Sequence, residues 1–247
     1  MSYLLAFLRF LILALSVVLV ILTTGLLNLF FGEKKQHGLW VRKQWARLMV
    51  FQLGVRVKVY GAPPQTSGLV VGNHRSYFDP VVLLCDMYAF PVAKSELASW
   101  PLIGWGAKVT GILFVERSNK VDRRRVLEQI GETLRAGFFV LNYAEGTTHD
   151  GPTTIDFRPA SFAMAAAEGF PIVPVATDYK NIRDAWIGDD TFVRHFFECF
   201  GKWRTEVKIS YGQSLQSDDQ QYLLTTSKNW IDGQLLKFRE EWQNADG

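Results

Sequence analysis

Cysteine is almost missing from this chain: Cys85 and Cys199 are the only two in 247 residues. Two thiols so far apart build no disulfide framework, and neither sits at a metal-ligand spacing. That scarcity fits a reducing compartment. The four histidines, His37, His74, His149 and His195, are scattered. No H-E-x-x-H is present, which argues against a zinc enzyme of that kind. No G-x-S-x-G occurs either, so the nucleophile elbow of a lipid-cleaving serine hydrolase is lacking. Internal repeats, low-complexity tracts and long linkers are absent. Charge is absent where it matters most: residues 10–31 hold none over 22 positions. As a helix that stretch would cover the hydrocarbon core of a bilayer. No small-x-small cleavage site follows it, which speaks against a secretory leader.

What is present begins just after that segment. Residues 33–58 hold seven Lys or Arg and one Glu, so the rest of the chain is net acidic although the total is +3. A nucleic-acid binder is more often basic throughout its folded domain, and no nucleic-acid partner is expected. The run Lys34, Lys35, Arg42, Lys43 and Arg47 predicts that the body of the protein stays on the cytoplasmic face of the membrane. Residues 39–53 predict a second helix, with Trp40, Trp45, Leu48, Met49 and Phe51 interleaved with Arg42, Lys43 and Arg47. That mixture suits a headgroup-level interface with anionic phospholipid. Residues 1–54 are therefore expected to be a membrane anchor. It would be either one spanning helix or a two-helix hairpin in one leaflet.

From residue 55 short apolar runs alternate with helical stretches. Strands are expected at 55–60, 69–71, 112–115, 138–142, 172–176 and 207–211, and helices at 80–88, 123–135, 157–168 and 223–241. This is the patterning of an α/β fold with a mixed, largely buried sheet flanked by helices. Active-site loops in such sheets gather at the carboxyl ends of strands. His74, Arg117 and Glu145 each follow one of these ends.

The most informative stretch is Asn73-His74-Arg75-Ser76-Tyr77-Phe78-Asp79. A neutral imidazole can take a proton from an alcohol near pH 7. A carboxylate on its other ring nitrogen sets the tautomer and stabilises the imidazolium. Residues five apart on one helix point in different directions, so the pair requires a turn between them. Asp79-Pro80 then reads as a helix start, with Asp79 at the N-cap. The simpler alternative leaves Asp79 as a cap and His74 bonded to loop backbone. Further on, Gly111-Ile-Leu-Phe-Val-Glu-Arg117 ends a strand in a guanidinium that can grip a phosphate, or simply pair with Glu116 or Asp122. Tyr143-Ala-Glu-Gly-Thr-Thr148 presents a carboxylate and free N–H groups after another strand, or forms an ordinary polar turn. His149-Asp150 beside it reads as turn chemistry. Phe192, Phe196, Phe197 and Phe200 share a helix spacing, read first as a face packed on the core.

In this order, the N-H-x-S-x-x-D, G-x-x-F-x-x-R, E-G-T and Val173-Pro174-Val175 blocks resemble the glycerolipid acyltransferase family. Lys94-Ser95-Glu96-Leu97 and Pro101-Leu102-Ile103-Gly104-Trp105 are similar to it as well. The likeness spans about 55–177 and implies that 55–247 is an acyltransferase domain. It implies His74 as general base and Asp79 as its orienting partner. It implies a headgroup site from Arg117, Glu145, Gly146 and Thr147, with Lys94 adding charge and 173–175 shaping an apolar wall. The donor implied is an acyl thioester on coenzyme A or acyl carrier protein, without a bound cofactor or metal. The acceptor is a lysolipid in the membrane.

One departure bears on that acceptor. The family's usual F-P-E-G-T-R ends here in Thr148, so one phosphate ligand is missing, and Arg158 stands where it can compensate. E-G-T-T followed by Asp-Gly is also similar to the branch that acylates lyso-ornithine lipid. The expected acceptor is 1-acyl-sn-glycerol-3-phosphate, giving phosphatidate, with lyso-ornithine lipid or another lysolipid as the alternative. A catalytically silent lipid-binding scaffold is the remote third reading.

Overall fold

The computed structural model describes residues 2–246. The charge-free stretch and the basic one after it become two helices, α1 (Tyr3–Phe31) and α2 (Lys35–Gln52). They run antiparallel: Arg9 reaches the Gln52 carbonyl, Trp45 donates to Ser16, and His37 meets Asn28. The body follows as β1 (Val55–Tyr60), β2 (Leu69–Gly72), α3 (Asp79–Leu83), β3 (Ala89–Lys94) and a 3₁₀ turn at Ser95–Ser99. Next come α4 (Ile103–Val109), β4 (Leu113–Val115), α5 (Lys120–Arg135), β5 (Phe139–Tyr143), α6 (Ala160–Glu168) and β6 (Ile172–Tyr179). A second 3₁₀ turn at Ile182–Asp184, α7 (Phe192–Phe200), β7 (Thr205–Tyr211) and α8 (Gln220–Asp246) complete it.

The strands form one mixed seven-stranded sheet in the order β1-β7-β6-β2-β5-β3-β4. Every neighbouring pair is parallel except β6 with β7. Alternation along the central strands feeds two cores. Val70, Leu141 and Val175 pack with Met49, Phe78, Phe196 and Phe200 on one face. Leu69, Val71 and Val140 pack with Ile130, Phe162 and Leu235 on the other. Helices cover both faces, as mostly parallel sheets require.

Several expectations shift. β3 has no counterpart in the sequence reading, because Pro91 sits in its middle and proline reads against a strand. The helix expected at 80–88 ends at Leu83, and that expected at 157–168 begins only at Ala160. Residues 173–175 line no acyl-chain wall. They lie in β6, all of whose residues are buried within the sheet.

The N-terminal hairpin is tied into the body. Arg42, expected among headgroups, is 4 % exposed and donates to the carbonyls of Thr110, Gly111 and Ala89. Burial lowers its pKa to about 9, so it stays charged at neutral pH. Arg9 is also buried and donates to the Phe200 and Lys202 carbonyls. The opposite face of α1, including Leu4, Leu15, Leu19, Leu22 and Leu26, is exposed.

Candidate active site

The site forms where β2 ends between β5 and β6. A Cβ on Gly72 would lie 3.2 Å from Val175 and 3.3 Å from the Tyr143 ring, so the chain leaves the sheet through a narrow gap. Asn73 then bonds the Thr177 backbone at both ends of its amide, each at 2.8 Å. That anchors the loop to β6.

Asp79 does not cap the helix. The N-cap is Phe78, and Asp79 occupies the first turn of α3 with its carboxylate turned back toward the loop. Oδ2 accepts His74 Nδ1–H at 2.8 Å and the N–H groups of Arg75 and Ser76 at 2.7 and 2.9 Å. Oδ1 accepts the Tyr179 hydroxyl at 2.7 Å. The carboxylate is fully buried, and these donors compensate for its lost water. Burial, then the charge of Asp79, raises the Tyr179 phenol well above its ordinary pKa, so it remains a donor. With Nδ1–H committed to Asp79, the acceptor lone pair of His74 lies on Nε2. The ring stacks on Tyr143 with centroids 4.1 Å apart.

Glu145 and Gly146 form the turn after β5. Glu145 is buried, and both oxygens face inward: Oε2 accepts the His74 backbone N–H at 2.5 Å, and Oε1 accepts His149 Nε2–H at 2.6 Å. Gly146 has φ of 70°, and a Cβ there would meet Arg158 Nε at 2.5 Å. The positive φ is what favours glycine here, and a Cβ would also displace the Arg158 guanidinium. Arg117 donates to the Gly146 carbonyl. Burial lowers its pKa, and the nearby Arg158 cation lowers it further, while Glu96 opposes both.

An apolar cavity of about 470 Å³ opens beside the His74 ring. Val17 and Val20 of α1, Trp45 and Met49 of α2, Ala107 of α4 and Phe196 of α7 line it. Polar side chains also line it, among them His74, Lys94, Glu96, Arg117, Thr147 and Thr148, and elsewhere Arg42 and Thr110. Of the residues singled out in the sequence, His74, Arg117, Thr147 and Lys94 therefore face the cavity. Asp79, Glu145, Gly146 and Arg158 stand behind them. Phe196 and Phe200 pack in the core as expected, and Phe192 and Phe196 also reach the cavity.

Sequence reading did not find Tyr179, Arg75 or Asp178, and it gave His149 only a turn role. Tyr179 and Asp178 come to the site from β6. Arg75 and His149 lie in or beside the motifs, but the partners that give them a role, Asp178 for Arg75 and the His74 loop for His149, are distant in sequence. Burial pushes the Cys85 thiol up to about 12 and raises Cys199 further, so neither is a ready nucleophile. Among the described residues no group of three His, Cys, Asp or Glu is placed to hold a metal ion. The arrangement can take a proton from a hydroxyl brought to His74 in a mostly apolar cavity, with Lys94 and Arg117 also lining it for a charged headgroup.

Comparison with known proteins agrees with that chemistry. The family model described as Acyltransferase matches residues 56–178. A lyso-ornithine lipid O-acyltransferase of Rhizobium meliloti is 30 % identical over 220 residues, covering 81 % of this chain and 74 % of that protein. A protein of the same name from Pseudomonas aeruginosa is 33 % identical, covering 70 % and 69 %. The crystal structure of a 1-acyl-sn-glycerophosphate acyltransferase from Thermotoga maritima shares the fold. Its TM-score is 0.66 at 19 % identity, over 95 % of this chain and 98 % of that one.

Proposed function

This chain belongs to the acyltransferase family as a lysolipid O-acyltransferase using an acyl thioester donor, and from that premise we propose that its acceptor is lyso-ornithine lipid. The observation that carries the choice is the likeness to the Rhizobium protein of that name over most of both chains. The site supports it. Thr148 replaces the arginine expected at the end of the E-G-T block, and Arg117 spends one donor on Gly146. Glu96 lines the cavity with Arg117 and Lys94 and lies close enough to Arg117 to act on its charge. An ornithine headgroup carries an amine and a carboxylate, so a mixed-charge site suits it. The first expectation, 1-acyl-sn-glycerol-3-phosphate, becomes the second reading, favoured by the cations Arg117, Lys94 and Arg158.

His74 Nε2 takes the proton of the acceptor hydroxyl as its oxygen attacks the thioester carbonyl. Asp79 stabilises the imidazolium. Collapse of the tetrahedral adduct expels the thiolate, which recovers the proton from His74. The products are an O-ester and a thiol. A positioned base contributes about 10²–10⁴-fold to such a step. Thr147, Arg117 and Lys94 meet the headgroup, with Gly146, Arg158 and Glu145 acting from behind, Gly146 by accepting from Arg117 and Glu145 by holding the His74 backbone.

The exposed face of α1 meets the membrane, with the body on the cytoplasmic side. A one-leaflet hairpin accounts for the geometry better than a spanning helix. Because α2 doubles back along α1, a spanning α1 would carry Lys43 and Arg47 into hydrocarbon, where a charge is costly.

The test supplies full-length protein in liposomes with an acyl-CoA or an acyl carrier thioester. Lyso-ornithine lipid, lysophosphatidate and other lysolipids are the acceptors, and products are read by mass. Esterification of lyso-ornithine lipid above the others is expected. Acylation of lysophosphatidate alone, with KM raised sharply by Arg117→Ala, would overturn the choice of acceptor.

A further inference from the structure

His149 and the charged side chains around it, Arg75, Asp178 and Arg239, have no part in the reaction above. We propose that His149 is a positioning residue for acyl transfer: it holds the Glu145 carboxylate, which in turn holds the backbone of His74. The inference rests on the lysolipid acyltransferase reading of the same site.

Both backbone polar groups of His74 end on the turn after β5. Its N–H donates to Glu145 Oε2 at 2.5 Å, and its carbonyl accepts the His149 N–H at 3.3 Å. Glu145 Oε1 is held by His149 Nε2–H at 2.6 Å and by the Ile155 N–H at 3.2 Å. The other ring nitrogen of His149, Nδ1, accepts the Gly151 N–H at 3.2 Å. One tautomer, with the hydrogen on Nε2, satisfies both contacts.

The His149 ring is pinned in its turn. Arg75, 1 % exposed, has Nη1 at 3.2 Å from both ring nitrogens and donates to the His149 carbonyl at 3.0 Å. Its Nε lies 3.3 Å from Asp178 Oδ1, and Arg239 holds the other oxygen of Asp178 at 3.1 Å. His149 does not line the cavity. It acts on the reaction only through the residues that do. A base displaced by a fraction of an ångström loses its alignment with the hydroxyl, and a displacement of about 1 Å can cost about 100-fold in rate.

His149→Leu removes the donor to Glu145, whereas His149→Gln keeps an amide N–H within reach of it. The full-length protein is assayed in liposomes for kcat and for KM of both substrates. The wild type and both variants are also labelled with ¹⁵N-histidine in detergent micelles, and the His74 backbone amide proton is followed. His149→Leu is expected to lower kcat by about 10–100-fold with both KM values within about threefold. His149→Gln should recover most of the turnover. The His74 amide proton should move upfield in the Leu variant and return in the Gln variant. Unchanged kcat in His149→Leu would overturn the proposal. So would an unmoved His74 amide, or equal losses in both variants with a lowered Tm, which mark a purely structural residue. A wild type inactive on every lysolipid would sink the acceptor chemistry instead, and the amide shift would still decide the role of His149.

Discussion

At the scale of the residue, one buried carboxylate organises the loop that carries His74. Asp79 is fully buried and accepts from four donors, so each of its hydrogen bonds sets a position: the His74 ring, two loop amides and the Tyr179 hydroxyl. His74→Ala is expected to cut kcat by about 10²–10⁴-fold, because the proposed proton acceptor is lost, with only a small fall in Tm, because Asp79 keeps three of its four donors. Steady-state kinetics beside a thermal melt checks this. Asp79→Asn should fail differently. An amide offers one oxygen where the carboxylate accepts on two, so at least one buried donor is left unpaired. That costs about 1–3 kcal/mol in addition to the lost turnover, read as a fall in Tm together with kcat. Thr148→Arg tests the acceptor: a new cation facing an ornithine amine should lower kcat/KM for lyso-ornithine lipid, and a gain with that lipid would contradict the choice.

At the scale of the element, the cavity is made between helices and the strand β3, whose residues 91–94 line it beside α1, α2, α4 and α7. Val17 of α1 comes within 3.0 Å of where a Cβ on Gly106 of α4 would stand, and both residues line the cavity. Gly106→Leu should therefore push a side chain into the apolar space between the two helices. The expected result is a shift toward shorter acyl chains, with turnover of short-chain thioesters retained. Product masses from a mixed-length donor pool measure it, and an unchanged length profile would place the acyl chain elsewhere. The helix at α8 carries a separate acid-sensitive contact. Glu241 accepts from Tyr60 of β1 and from Lys208 of β7, and these two bonds lower its pKa from 4.5 to about 2. Its contribution to stability is present above pH 4.5 and lost as the pH falls from there toward 2. Glu241→Gln should flatten the decline of Tm across that window.

At the scale of the whole molecule, the N-terminal hairpin is part of the folded body and not only a proposed membrane contact. Met49 and Leu53 lie in one core, Leu39 in the other, and Arg42 grips three carbonyls of the body. Deleting residues 1–54 should therefore do more than release the protein from the membrane. It strips one wall from the cavity and leaves apolar surface uncovered, so the remainder should aggregate or melt without a cooperative transition. Calorimetry and sedimentation of the truncated form test this. A soluble, cooperatively folding and active 55–247 would show that the hairpin is only an anchor.

Much of this was legible in the chain itself. Apolar periodicity placed six of the strands to within a few residues, the charge-free run placed α1, and the spacing of His74 and Asp79 required a turn between them. These are local properties, carried by near neighbours in sequence. The acyl-donor chemistry was legible because four short blocks occur in one order. What only the tertiary structure decided depends on distant partners. Tyr179 meets Asp79 across 100 positions, and Arg42 is a buried clamp rather than a headgroup contact. Residues 173–175 are sheet interior rather than cavity wall, and Glu145 faces inward to His149. A guanidinium or carboxylate looks the same in sequence whether it faces water, lipid or a buried carbonyl. Its role follows from which groups the packed chain brings within hydrogen-bond reach, and burial then makes leaving those groups unpaired too costly to allow another arrangement.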